Sequence, residues 1–175
     1  MIWLILNKIF GTYLVFQKGY SAVIEQNGYT IVYRNASVSV DREVVSQIDK
    51  GLLVLLGVDT ADTQEDLMWL VHKIAGLRIF SDSEEKMNLS IQDVEGEVLV
   101  VSQFTLFGGT KKGNRPSFIR AARPDKGEKD YLAFVNELQQ LIEKPVKTGV
   151  FGADMKVELC NDGPVTLIID TKNKE

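Results

Sequence analysis

Cysteine and histidine are almost absent from this 175-residue chain, with one of each, Cys160 and His72. A single cysteine excludes an intrachain disulfide and suits a reducing compartment. One Cys and one His cannot build a Cys/His metal cluster. A Ser-His-Asp triad would have to recruit His72, which lies in a helix-like segment among hydrophobic residues, a surface or packing position. Also missing is an unbroken apolar stretch of about twenty residues, the length a membrane helix needs. Met1–Phe16 is rich in Ile, Leu, Phe and Tyr, but Asn7, Lys8 and Gly11 interrupt it. There is no basic start with a small-residue cleavage site, so a secretory signal is not expected. Net charge is −4, so any attraction to nucleic acid must come from a local patch. An enzyme made from this set works with hydroxyls, amides and backbone groups, or with a group that the substrate brings.

What is present is an ordinary globular composition, 45% hydrophobic and 25% charged, sized for one domain. Residues 1–28 differ in texture from the rest. They read as an N-terminal extension, either an element added at the domain edge or the product of a start site placed too far upstream. Residues 29–170 form the domain and 171–175 a charged tail expected to fray. Tyr29–Arg34 and Ala36–Val40 read as strands, and the apolar run Gly51–Val58 as a buried strand. Thr63-Gln64-Glu65-Asp66 fits a helix-start box, with Asp62 as the alternative cap. Leu67, Leu70, Val71 and Ile74 follow at helical spacing, and Gly76 ends that helix. Ser81–Lys86 reads as a charged loop, Glu97–Phe107 as one long strand, and Gly108–Asn114 as a flexible loop. Glu128–Ile142 is a second helix with Tyr131, Phe134, Val135, Leu138 and Leu141 on one stripe. Met155–Cys160 and Val165–Asp170 are the last strands. Strands outnumber helices without regular alternation, which predicts an α+β fold.

Three segments are candidates for chemistry. Ser102-Gln103-Phe104-Thr105 follows the apolar Leu99-Val100-Val101, where polar side chains must be hydrogen-bonded or face a cavity. By itself it is better read as an edge strand with one wet face, where Ser and Thr are common. Between Val98 and Pro124 lie Lys111, Lys112, Arg115, Arg120 and Arg123 and no acid, several beside glycines that let backbone approach a phosphate. A solvated basic loop is the alternative. In Asn161-Asp162-Gly163-Pro164-Val165-Thr166, proline donates nothing to a ladder and a Gly-Pro corner can present bare carbonyls. Alone, it is a turn between hairpin strands.

Together these segments resemble the D-aminoacyl-tRNA deacylases, from about Asn35 to Asp170. The matching text runs through Gly51–Val58, Leu77-Arg78-Ile79-Phe80, Lys86-Met87-Asn88-Leu89-Ser90 and Val101–Leu106. It continues through Arg115-Pro116-Ser117-Phe118, Phe151-Gly152-Ala153-Asp154-Met155 and Asn161–Thr166. The resemblance implies a cytoplasmic homodimer with a compact, β-rich, barrel-like fold and two main helices. It implies hydrolysis of the ester between a D-amino acid, or glycine, and the terminal adenosine of tRNA, without cofactor or metal. Ser102, Gln103, Phe104 and Thr105 would line the catalytic pocket. Gly163 and Pro164, with Val165, Thr166 and Met155, would select the D-substrate from across a subunit interface, the Gly-Pro bond being cis. Carbonyls there would hold the ammonium and leave an L side chain no room. Lys111, Lys112 and Arg115 would meet tRNA phosphates. No general base is evident beside Thr105, so assistance by the neighbouring ribose hydroxyl is expected, with Thr105 shaping the pocket and amides near Phe104 stabilising the oxyanion. One departure concerns the first strand: the family's Gln-Arg pair aligns with Ile31-Val32, and Arg34 is two residues out of register, on the same strand face.

Overall fold

The computed structural model describes residues 21–26, 36–111, 113–161 and 165–174. The expected strand Tyr29–Arg34 lies outside them. Among the described residues the strands are β1 (Ser21–Gln26), β2 (Ala36–Val40), β3 (Glu43–Ile48), β4 (Gly51–Gly57), β5 (Phe80–Ser81), β6 (Met87–Leu89), β7 (Glu97–Ser102), β8 (Val146–Thr148), β9 (Met155–Leu159) and β10 (Thr166–Asp170). The helices are α1 (Gln64–Ala75), α2 (Pro124–Leu141) and a 3-10 turn at Phe104–Phe107.

Three layers result. A five-stranded sheet in the order β10-β1-β4-β7-β8 lies between the two helices and a three-stranded sheet β3-β2-β9. β4 shows why. Successive side chains of a strand point to opposite faces, and every residue of Gly51–Gly57 is buried. Leu52, Val54 and Leu56 pack with Leu67, Leu70, Ile74, Phe134 and Leu138 of the helices. Leu53 and Leu55 join Ala36, Val38, Met155 and Val157 of the smaller sheet. A strand covered on both faces reads as a continuous apolar run, as expected for Gly51–Val58. Each such Leu or Val contributes about 1.5–3 kcal/mol of burial.

The α+β class holds. The barrel does not: the described strands form open sheets stacked face to face, with β3 and β9 as edges of one and β10 and β8 as edges of the other. The β4-β7-β8 strands run parallel. Residues 21–26, assigned above to the N-terminal extension, form β1 and lie in the sheet interior, paired to both β4 and β10. Without a strand there, the facing ladder groups of β4 and β10 would lose their partners.

Helix α1 starts as its sequence dictates. The Thr63 hydroxyl accepts from the Asp66 amide at 3.3 Å, and the Asp66 carboxylate accepts from the Thr63 amide at 3.0 Å. Gly76 caps the other end, donating to the His72 carbonyl at 3.0 Å. Helix α2 begins four residues before the expected Glu128, with Pro124 in its first turn, where the missing N–H costs nothing. The Tyr131 hydroxyl donates to the Val100 carbonyl at 2.8 Å, and this holds α2 on β7. The hairpin β2–β3 turns through Asp41 (φ 51°) and Arg42 (φ 70°), two left-handed residues that match the twist of the flanking strands. Part of the expected loop 81–86 instead joins the small β5–β6 hairpin.

Candidate active site

The predicted long strand Glu97–Phe107 breaks at Ser102. The Gln103 amide donates to the Leu56 carbonyl at 2.8 Å, after which the chain leaves the sheet and coils into the 3-10 turn. β8 pairs with β7 only over Val98–Val100. Beyond that stretch β7 has a single neighbour, which leaves room for the backbone to turn. Of the four predicted catalytic residues, Ser102 therefore ends β7, Gln103 follows it, and Phe104 and Thr105 open the turn rather than continuing a strand. Ser102 is half-buried, Gln103 is 8% exposed and Phe104 is 58% exposed. The Gln103 amide nitrogen donates to the Thr105 hydroxyl, fixing one side chain against the other. The Phe104 ring meets Phe118 edge-on, centroids 5.3 Å apart. Phe107, at the other end of the turn, is buried against Gly57.

The basic segment forms a loop pinned at its base by paired hydrogen bonds between Gly109 and Ser117, at 2.8 and 2.9 Å. Lys111 and Arg115 are exposed on it, while Lys112 lies outside the described residues. Arg120 does not belong with these free cations. Its guanidinium donates twice to one oxygen of Asp59, at 2.8 and 3.1 Å, and lies 5.2 Å from the Phe107 ring centroid. Burial by itself would push the Asp59 carboxyl up, but the Ala61 amide and Arg120 outweigh it and hold it below its ordinary value. Nothing in the sequence near Arg120 signals a partner 61 residues away.

Beside this pair lies a second acid. Asp62 accepts from the Asp59 amide at 2.7 Å, and Lys172 approaches it at 3.9 Å. Burial raises its pKa to about 7, with Asp59 and Asp66 adding like-charge repulsion. Lys172 also pairs with Asp66, and Lys174 lies 5.0 Å from the Trp69 ring centroid. Thr171 is 2% exposed. The expected fraying of the tail is thus replaced, over residues 171–174, by anchoring on α1.

Of the chiral-selection candidates, Gly163 and Pro164 lie outside the described residues, as do Ile31, Val32 and Arg34 of the first-strand question. The flanking residues are described. Val165 is half-buried and Thr166 exposed, and the Asn161 amide nitrogen donates to the Val165 carbonyl at 3.4 Å and the Thr166 hydroxyl at 3.1 Å. Met155 is 1% exposed, packed against Gly149 and Val38 in the smaller core, a packing position within this chain.

The sheet register separates the two halves. Thr166 pairs with Glu25, Glu25 with Leu53, and Leu53 with Leu99. Ser102 stands three residues further along β7 and three strands across. At about 3.3 Å per residue and about 4.8 Å per strand, that is roughly 17 Å. Thr166, the first residue of β10, stands at the end of the sheet away from Ser102. Within one chain, Ser102 is not brought beside Asn161, Val165 and Thr166, the described residues flanking that segment.

A profile of the D-Tyr-tRNA(Tyr) deacylase family matches residues 32–170. The chain belongs to this family. A D-aminoacyl-tRNA deacylase of Flavobacterium psychrophilum is 57% identical over 140 residues, covering 80% of this chain and 93% of that relative. One from Parabacteroides distasonis is 56% identical over 142 residues, covering 81% and 95%. Among solved structures, one described as c-Myc DNA Unwinding Element Binding Protein superposes with TM-score 0.78 at 39% identity, over 86% of this chain and 97% of that one. A probable eukaryotic D-amino acid tRNA deacylase shares the fold, with TM-score 0.70 at 18% identity, over 86% and 98%.

In this deacylase-family chain, Ser102 and Gln103 lead from the end of β7 into a turn on which Phe104 and Thr105 are exposed beside an aromatic wall. The tertiary structure adds Phe118 to that wall and Asp59–Arg120 beneath it. Phe118 was within reach of the sequence, in Arg115-Pro116-Ser117-Phe118. Among the described residues no helix is long and apolar enough to cross a membrane, and no group of three or more His, Cys, Asp or Glu is placed to hold a metal ion.

Proposed function

We propose that this protein hydrolyses the ester bond of D-aminoacyl-tRNA, releasing free D-amino acid and tRNA, and that its active site is shared between two copies of the chain. High identity to D-aminoacyl-tRNA deacylases over nearly their whole length supports the reaction. The observation that carries the shared site is the separation of its halves. Ser102 and Thr166, the described flank of the Gly163-Pro164 segment, stand roughly 17 Å apart across the sheet, which supports a second subunit supplying Gly163-Pro164 to the substrate held at Ser102–Thr105.

In this arrangement the exposed Phe104 ring and Phe118 offer an apolar wall to the terminal adenosine. The first amides of the 3-10 turn, which have no acceptor within the turn, face the developing oxyanion. Thr105, held by Gln103, shapes the pocket, and the vicinal ribose hydroxyl assists the reaction. Carbonyls of Gly163 and Pro164 from the partner hold the substrate ammonium and exclude an L side chain, while glycine, with no side chain, passes. Lys111, Lys112 and Arg115 meet phosphates of the acceptor end. The compartment is the cytoplasm, where charged tRNA is used.

The test is deacylation of matched D-, L- and Gly-charged tRNAs, followed by mixing of two inactive variants. Phe104→Ala and Gly163→Ala homodimers should both be inactive. After random exchange, half the dimers carry one intact composite site, so activity should return to about a quarter of wild type. No recovery would place both halves in one chain. Uptake of tRNA without release of any amino acid would favour a non-catalytic RNA-binding module. Cleavage of the L-ester at a comparable rate would favour a relaxed deacylase with a trans Gly-Pro bond.

A further inference from the structure

We propose that Arg120 is a positioning residue for deacylation: clamped on Asp59 and lying on the Phe107 ring, it sets the placement of the 3-10 turn that carries Phe104 and Thr105. The role assigned to Arg120 rests on that turn forming the active site.

The geometry is a short chain of fixed contacts. Asp59 is 6% exposed and fully engaged: one oxygen takes both Arg120 donors, the other accepts from the Ala61 amide at 2.9 Å and the Thr60 hydroxyl at 3.1 Å. The backbone is locked on both sides of the pair. The Thr60 amide donates to the Arg120 carbonyl at 3.0 Å, and the Ala122 amide to the Val58 carbonyl at 2.8 Å. The end of the basic loop is thereby fixed to the chain leaving β4. The guanidinium carbon sits over the Phe107 ring, 5.2 Å from its centroid, and Phe107 is 3% exposed. Phe107 is the last residue of the turn, and Thr105 accepts from the Gly108 amide at 3.0 Å. Phe118, two residues before Arg120, touches Phe104 at the front of the same turn. The segment Phe118–Arg120 thus grips the turn at both ends, Phe118 on Phe104 and Arg120 on Phe107. A planar, delocalised cation suits this position, since it can pair with a carboxylate at its edge while its face lies on an aromatic ring.

The distinction from a phosphate contact is experimental. Arg120→Gln and Asp59→Asn should each lower kcat about tenfold, as expected when a reacting group is misplaced by a fraction of an ångström. KM for D-aminoacyl-tRNA and its salt dependence should stay as in wild type. The double variant should be no worse than either single one, because both break the same pair. Arg120→Lys, which keeps the charge but not the fork or the flat face, should recover part of the loss. If Arg120 instead met a phosphate, Arg120→Gln would raise KM and reduce the salt slope by about one contact while Asp59→Asn left both untouched; that result overturns the proposal. Unchanged kcat in Arg120→Gln and Asp59→Asn overturns it too. Should Arg120→Gln fail to fold, Asp59→Asn and Arg120→Lys give the same readout. Phe104→Ala separates the levels: inactive Phe104→Ala with normal Arg120→Gln removes only the positioning role, whereas normal Phe104→Ala removes the active site on which it rests.

Discussion

Adding a single methyl group at Gly57 tests whether the turn is held as tightly as its contacts indicate. Gly57 ends β4, directly behind the 3-10 turn. A Cβ built there falls 2.9 Å from Phe107 Cε2, 3.3 Å from Phe107 Cζ and 3.2 Å from the Gln103 carbonyl oxygen. The first of these is closer than real Cβ atoms stand, so something must move. The Phe107 ring is 3% exposed with Arg120 against it, and has no open side to swing toward. The Gln103 carbonyl belongs to the backbone from which the turn begins. Gly57→Ala should therefore push the turn outward by a few tenths of an ångström. Overpacking of this kind costs about 1–3 kcal/mol. For a domain of this size that lowers Tm by roughly 2–12 °C. The same displacement, applied to Phe104 and Thr105, should reduce kcat about tenfold with little change in KM. Thermal unfolding followed by circular dichroism gives the first quantity and steady-state deacylation of D-Tyr-tRNA the second. A variant with wild-type Tm and wild-type kcat would refute the packing argument. Lowered Tm with intact kcat, measured well below the transition, would show that the turn moves freely of the reacting ester.

Asp62→Asn isolates a buried titration. The folded-state pKa of about 7 lies above the ordinary carboxyl value of 3.8, so the folded protein holds more protons between those values and wild-type stability falls as pH rises through that window. At about 1.4 kcal/mol per pH unit the loss is at most about 4 kcal/mol. Asparagine can still accept from the Asp59 amide, so the stability of the variant relative to wild type should climb from pH 4 to pH 7 and then level off. A flat or falling difference in urea titrations would contradict this. Tyr131→Phe leaves the Val100 carbonyl without its side-chain donor in the core, and denaturant unfolding should show about 1–2 kcal/mol lost. Equal midpoints would mean that the bond adds nothing. Neutralising Lys111 and Arg115 together should flatten the salt dependence of tRNA affinity by about two phosphate contacts without touching kcat. A slope equal to wild type would move the RNA path off this loop.

Much of the fold was legible because its signals are local. Thr63 and Asp66 are three residues apart, and their capping box needs nothing from the rest of the chain. The apolar run at Gly51–Gly57 announces burial on both faces, whatever covers them. The stripe through Tyr131, Phe134 and Leu138 needs only helical spacing. Legibility failed where the outcome depends on distant partners. Phe104-Thr105-Leu106-Phe107 has strand-like composition, yet it turns away because β8 pairs with β7 only up to Val100 and Gln103 closes the ladder on Leu56. Lys172 looks like part of a loose tail until the fold brings Asp66 beside it, 106 positions away in sequence.

The candidate site divides along the same line. By itself the sequence determined which residue types are available: hydroxyls, amides, aromatic rings and a Gly-Pro corner, with no histidine or cysteine cluster to offer another chemistry. Motif order along the chain was enough to indicate the family. Tertiary structure alone decided that the chain turns at Phe104 where β7 ends, that Thr166 lies toward the other end of the sheet, and that Arg120 is engaged by Asp59 rather than free for a phosphate. The physical reason is range. Caps and periodicity are settled within a few residues, whereas strand order and long-range ion pairs depend on which distant segments the core forces together.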